Sequence, residues 1–130
     1  MTLLQAFGQF IEASHHTHFS PATLHGARRA LLDWHGALIA GADSEAASRL
    51  RDAYREEFGV GHSSVAGSQK KVFARAAAFM NGTISHIAEF DDIFRDGAYH
   101  PACPTISAAI GLAESRNASI EDLLASIIIG

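Results

Sequence analysis

Cysteine is nearly absent from this sequence: Cys103 is the only one, so no intrachain disulfide framework can form. Long apolar runs are missing too, and no uncharged stretch approaches the roughly 20 residues that cross a bilayer. The first twenty residues carry Glu12 and several histidines where a secretory signal would need a basic start and an apolar core. Lys and Arg form no long run and the formal charge is only -4. A phosphate-reading surface needs clustered cations, so nucleic acid is not indicated as a partner. These absences describe a soluble, cytoplasmic chain with no membrane partner. An anionic small molecule stays open, because a pocket needs only one or two local cations. The sequons at Asn81-Gly82-Thr83 and Asn117-Ala118-Ser119 then read as accidents of composition. Strand-like alternation and internal repeats are missing as well.

What is present is helical periodicity over a chain of 130 residues, 48% apolar and 18% charged, a composition that can sustain a packed core and argues against disorder. Leu3, Leu4, Phe7, Phe10 and Ile11 mark a short amphipathic helix. Ser20-Pro21 is a helix-start pair, since serine caps free N–H groups and proline fits a first turn. Behind it Leu24, Ala27, Leu31, Trp34 and Leu38 form the stripe of a long helix ending near Gly41. Ser44 opens a third helix with Leu50, Ala53, Tyr54 and Phe58 as its inner face, stopped by Gly59 and Gly61. The stretch from Gly59 to Ser68 reads as a loop with a short extended piece. Helical spacing resumes at Val72, Ala76, Phe79 and Met80. Gly97, Pro101 and Pro104 forbid regular structure through Asp91 to Pro104. A further helix follows on Ile106, Ala109, Ile110 and Ala113. Ser119 with Asp122 resembles a capping box and opens a last helix, apolar up to Gly130. Such an apolar end suggests packing into a partner or a chain cut short. The expected class is all-α.

Chemistry concentrates in His86 to Pro101. Glu89, Asp91, Asp92 and Asp96 place four carboxylates within eight residues, flanked by His86 and His100. On a helix, His86, Glu89 and Asp92 would share one face. Crowded carboxylates repel, so gathering them costs stability unless solvent screens them or a site uses them. Histidine is the side chain best suited to general acid or base work at neutral pH, which makes His100 a candidate for it. The plain alternative is a solvated acidic helix end. A divalent-metal site is the sharper one, but no second His/carboxylate pair has matching spacing and no metal is assigned. His15, His16 and His18 read as a polar turn rather than a metal cluster. His25 and His35 read as packed or half-exposed on the long helix. Gly59-Val60-Gly61 lacks the lysine-serine ending of a phosphate loop. Cys103 has no activating base nearby in sequence and reads as inert.

The order of several short stretches resembles the MmgE/PrpD family. Ala27-Arg28-Arg29-Ala30-Leu31-Leu32-Asp33-Trp34-His35-Gly36 runs on to Ala40-Gly41. Ala76 to Thr83 ends in Asn-Gly-Thr, then come His86, Glu89-Phe90-Asp91-Asp92 and His100-Pro101-Ala102-Cys103-Pro104. Leu123 to Gly130 closes the series. The likeness covers nearly the whole chain. Two departures from the family's pattern are Ile93, where a small hydroxyl residue often stands, and a different spacer from Asp92 to His100.

The resemblance implies that residues 1–130 are part of a helical domain, with remaining helices and a separate α/β lid domain outside them. It implies a cofactor-independent lyase or isomerase, such as a 2-methylcitrate dehydratase, cis-aconitate decarboxylase or iminodisuccinate epimerase. The chemistry would begin with proton abstraction on a di- or tricarboxylic acid. By resemblance, His100 and Asp92 are catalytic: His100 moves the proton or holds a carboxylate, and Asp92 orients it or holds a substrate hydroxyl. Glu89, Asp91 and His86 line the substrate pocket beside them. The family's catalytic lysine, a later histidine and a tyrosine would lie beyond Gly130. A homodimer is implied, because the helical domain commonly forms the dimer interface. Two alternatives stand beside this reading: a non-catalytic helical dimerisation or ligand-binding module, and a metal-dependent hydrolase using His86, Glu89, Asp92 and His100.

Overall fold

The structure, a computed structural model, describes residues 1–14 and 17–130. Six α-helices appear among them: α1 (Leu3–Ser14), α2 (Pro21–Ala42), α3 (Glu45–Ala53), α4 (Ala74–His86), α5 (Ala102–Arg116) and α6 (Ile120–Ile129). A short 3-10 turn, Arg55–Glu57, follows α3. The only strand-like pairings among the described residues are two isolated antiparallel bridges, Ser63 with Val72 and Phe94 with Tyr99. The architecture is all-α, as the periodicity predicts.

Side-chain caps set most of the helix starts. The Ser20 hydroxyl accepts from the Thr23 amide with Pro21 in the first turn of α2, and Ser44 accepts from Ala47 at α3. At α6, Ser119 and Asp122 form the reciprocal capping box. Each such cap satisfies an amide that the helix leaves without a partner. At the end of α5, Asn117 adopts a left-handed conformation, φ 51°, which asparagine tolerates better than most residues.

α4 is the central helix and packs chiefly against α5 and α2. Trp34 and Leu38 of α2, Met80 and Ile84 of α4, Ile106 of α5 and the bridge residue Val72 make the core. Glycines let the helices close up. A Cβ on Gly111 of α5 would sit 2.9 Å from the Ala74 carbonyl oxygen, and one on Gly82 of α4 would sit 3.3 Å from that of Cys103. At Gly41 of α2, an added Cβ would run into the Ile84 carbonyl. Polar ties fix the same seams. The Trp34 indole donates to Ser107 Oγ at 3.0 Å. Buried Asn81 accepts from the Ala66 amide at 3.0 Å and donates to the Ser64 carbonyl at 2.8 Å, pinning the connecting segment onto α4. With its amide buried and used in this way, Asn81 is a packing residue.

Several expectations need correction. Val72 belongs to a bridge and not to α4, and Phe79 of α4 is exposed. Pro104 does not delay α5, which begins at Ala102, because proline in the first turn removes only an amide that has no helical partner. Phe58 lies beyond α3, and Ala53 is exposed rather than inward. His25 and His35 are both exposed. His15 and His16 lie outside the described residues, and His18 is exposed. The apolar stripe of α1 exists but buries nothing: Leu3, Leu4, Phe7, Phe10 and Ile11 are all exposed.

Candidate functional site

The site grows out of the end of α4. Ser85 and His86 occupy its last turn, and two further turn hydrogen bonds, from Ile87 to Ile84 and from Glu89 to His86, prolong the coil. Glu89 then turns left-handed, φ 49°, a conformation that costs an ordinary side chain roughly 1–2 kcal/mol. This reversal brings Asp91 back under the helix, where its side chain is fully shielded from solvent. The chain next makes a tight turn in which the Phe94 amide donates to the Tyr99 carbonyl at 2.8 Å. A Cβ on Gly97 would sit 2.7 Å from the Tyr99 ring, so a larger residue there would displace that ring. His100 and Pro101 lead directly into α5, and Cys103 lies in its first turn.

Three heteroatoms converge on one carboxylate oxygen. Asp91 Oδ2 lies 3.1 Å from His86 Nδ1, 2.9 Å from Cys103 Sγ and 3.0 Å from His100 Nδ1. His86 Nδ1 also lies 3.2 Å from Oδ1. The His100 contact is poorly aligned for a hydrogen bond, and its buried Nδ1 has no other partner in the structure. The two imidazole rings meet edge to face with centroids 4.7 Å apart.

Burial pushes the Asp91 carboxyl up, but hydrogen bonds from Cys103 and His86 outweigh it and hold the group below the ordinary carboxylate value. An ionised carboxylate can only accept, so His86 carries its proton on Nδ1. The Cys103 thiol likewise donates to Asp91. Burial, then the adjoining carboxylate, pushes this thiol up to about 11, and it remains protonated at neutral pH. Ser85 supports it from behind, with Oγ 3.3 Å from Cys103 Sγ.

His86, Tyr99, His100 and Cys103 line a cleft of about 680 Å³ between α4 and α5, which Phe79 and Thr83 complete. The His86 and His100 side chains are 47% and 30% exposed, whereas that of Asp91 is not exposed at all. The imidazoles therefore meet whatever enters, and the carboxylate steers them from beneath. Among the described residues no Lys or Arg lines the cleft.

Of the residues predicted as site members, the structure gathers His86, Asp91 and His100. Asp92 stands beside them in another role: its Oδ1 accepts from the Ala102 amide at 3.1 Å and caps the start of α5. Glu89 is exposed, and none of the side-chain hydrogen bonds or ion pairs found among the described residues involves it. The expected shared helical face of His86, Glu89 and Asp92 does not exist, because α4 ends at His86. Cys103 is the member that sequence reasoning passed over. Its signal was the three-residue step from His100, which spans the entry into α5 and lets both side chains reach the same carboxylate.

The family model for the MmgE/PrpD N-terminal domain matches residues 5–130. No curated protein and no solved structure matches the chain.

Proposed function

The chain belongs to the MmgE/PrpD family, and on that premise we propose that its α4–α5 cleft takes part in cofactor-independent proton abstraction from a small di- or tricarboxylic acid. The reaction class is that of a lyase or isomerase. The observation that carries the reading is the pair of partly exposed imidazoles at one buried, ionised carboxylate. A neutral imidazole can accept a proton and, once it is imidazolium, return it or steady the enediolate charge that develops as a proton leaves carbon. His100 is the proton-transfer group in this proposal. His86 holds a substrate carboxylate, and Asp91 positions both rings. Asp92 acts through α5, keeping its first turn and hence His100 in register.

The test is proton NMR of the purified protein with 2-methylcitrate, cis-aconitate and iminodisuccinate in heavy water. Binding is expected to shift the ring resonances of His86 and His100. Turnover or deuterium incorporation is expected to fall by about 100-fold or more in His100→Ala, the usual range for losing a general acid or base. If no acid shifts either ring and none exchanges a proton, the reading fails.

A second reading, self-association through a helical surface, is favoured by the fully exposed apolar stripe of α1. Contiguous apolar surface of that kind is characteristic of interfaces, and a symmetric homodimer is the simplest assembly that covers it. No helix among the described residues is long and apolar enough to cross a membrane.

A further inference from the structure

The α4–α5 cleft gathers its available polar groups in one place. His86 and His100, whose Nδ1 atoms sit against Asp91, and Tyr99 supply them. Ala78, Phe79 and Gly82 precede His86 by one to two turns of α4. With Pro104 on the α5 side they form a wall that carries no polar side chain. The other two heteroatoms of the lining are already engaged. Thr83 Oγ1 donates to the Phe79 carbonyl of its own helix at 2.9 Å, and the Cys103 thiol donates to Asp91 at 2.9 Å. Phe79 is 54% exposed. Its ring leans on that of Tyr54, with centroids 5.6 Å apart, so it offers the cleft a supported apolar surface.

We propose that this cleft selects an acid bearing an apolar arm, a short alkyl or aryl group, with a carboxylate at His86, the reacting carbon at His100 and the arm along Ala78, Phe79, Gly82 and Pro104. The proposal rests on the reading of the cleft as an acid site and narrows the class of acid.

A carboxylate laid on a wall without donors loses water and gains no partner, which penalises a ligand that is charged along its whole length. A methylene in the same position gains by leaving water. The cleft holds about 680 Å³, within the range of small-molecule sites, which join an apolar lining to a few placed polar groups. The division also serves proton abstraction. Contacts to a part of the substrate that does not react can hold the reacting carbon against the imidazole. Groups that reach the cleft from elsewhere can add charge at its open side, but they leave the α4–α5 wall as it is.

Proton NMR titration of the purified protein with succinate, methylsuccinate, propylsuccinate and tricarballylate tests the proposal, with the His86 and His100 ring resonances as the readout. Full burial of one methylene is worth about fourfold in affinity, and about twofold is expected in a cleft open on one side. Propylsuccinate should therefore bind about eightfold more tightly than succinate, with methylsuccinate between them. Tricarballylate, which carries a third carboxylate in place of the arm, should bind no more tightly than succinate. Intermolecular Overhauser effects should join the propyl protons to the Phe79 ring. Phe79→Ser, with its helices verified by circular dichroism, should cut the propyl advantage to about twofold. The ligand series and the Overhauser contacts are measured on the unaltered protein, so they decide the matter even where the variant does not fold. Equal affinities for succinate and propylsuccinate, tighter binding of tricarballylate, or a propyl advantage that survives Phe79→Ser in full would each overturn the proposal while leaving the acid-site reading in place. If no acid of the series moves either ring, both fall together.

Discussion

At Asp91, burial and hydrogen bonding act in opposite directions on one carboxyl, and the outcome controls its neighbour. Because hydrogen bonds keep Asp91 ionised, its charge helps push the Cys103 thiol up to about 11. The thiolate is the form that reacts with alkylating agents, so a raised value suppresses reactivity at neutral pH. At pH 8, alkylation of native Cys103 is expected to be at least about 100-fold slower than in urea-unfolded protein. The native rate should climb with each pH unit toward 11, and mass spectrometry of timed quenches reads it. Asp91→Asn should speed the native reaction by removing the adjoining charge. The same variant should cost about 1–3 kcal/mol of stability in urea, the usual cost of leaving buried hydrogen-bonding groups without their partner. This arrangement was only half legible in the sequence. The local cluster of His86, Asp91 and His100 announced itself by composition. Which aspartate goes inside depended on a left-handed turn at Glu89, for which glutamate gives no signal. Cys103 looked inert because its partner lies twelve residues away along the chain.

Among the elements, helix starts were legible and helix packing was not. Ser20-Pro21, Ser44 and the Ser119/Asp122 pair carry their chemistry locally, so the beginnings of α2, α3 and α6 follow from residue type. The α4–α5 seam is set by distance between backbones, which periodicity does not encode, and this is why Phe79 and Val72 were misplaced. Glycine substitutions separate the two kinds of position. Gly111→Ala puts a methyl against the Ala74 carbonyl and is expected to cost about 1–3 kcal/mol as an overpacked contact. Gly26→Ala and Gly36→Ala lie inside α2 with nothing within 4 Å of the added Cβ. Each should stabilise the protein by about 0.5–1 kcal/mol, because glycine inside a helix loses more chain entropy than alanine. Urea midpoints of the three variants check the contrast, and equal shifts in all of them would contradict the close approach of α4 and α5.

For the whole molecule, the apolar surface left on α1 is the dominant feature. The helix buries none of its residues, so it contributes little to the core and much to the exposed apolar area. A Phe7→Asp, Phe10→Asp double variant is expected to move the protein toward the monomer in size-exclusion chromatography with light scattering. Its helical signal and the melting temperature of dilute samples should barely change. A variant that unfolds instead would place α1 in the core and contradict the structure. The all-α class was legible because helical periodicity covers most of the chain and strand alternation is missing. The exposure of α1 was not, since an apolar stripe looks the same in sequence whether it faces its own core or another molecule.

The turn from Phe94 to Tyr99 lies between α4 and α5, and its residues are exposed. It nevertheless sets where the Tyr99 ring stands at the mouth of the cleft. Mutational drift in this turn can resize the entrance while the buried contacts of Asp91 stay in place, which makes it a natural place for selection, or a designer, to change what the cleft admits.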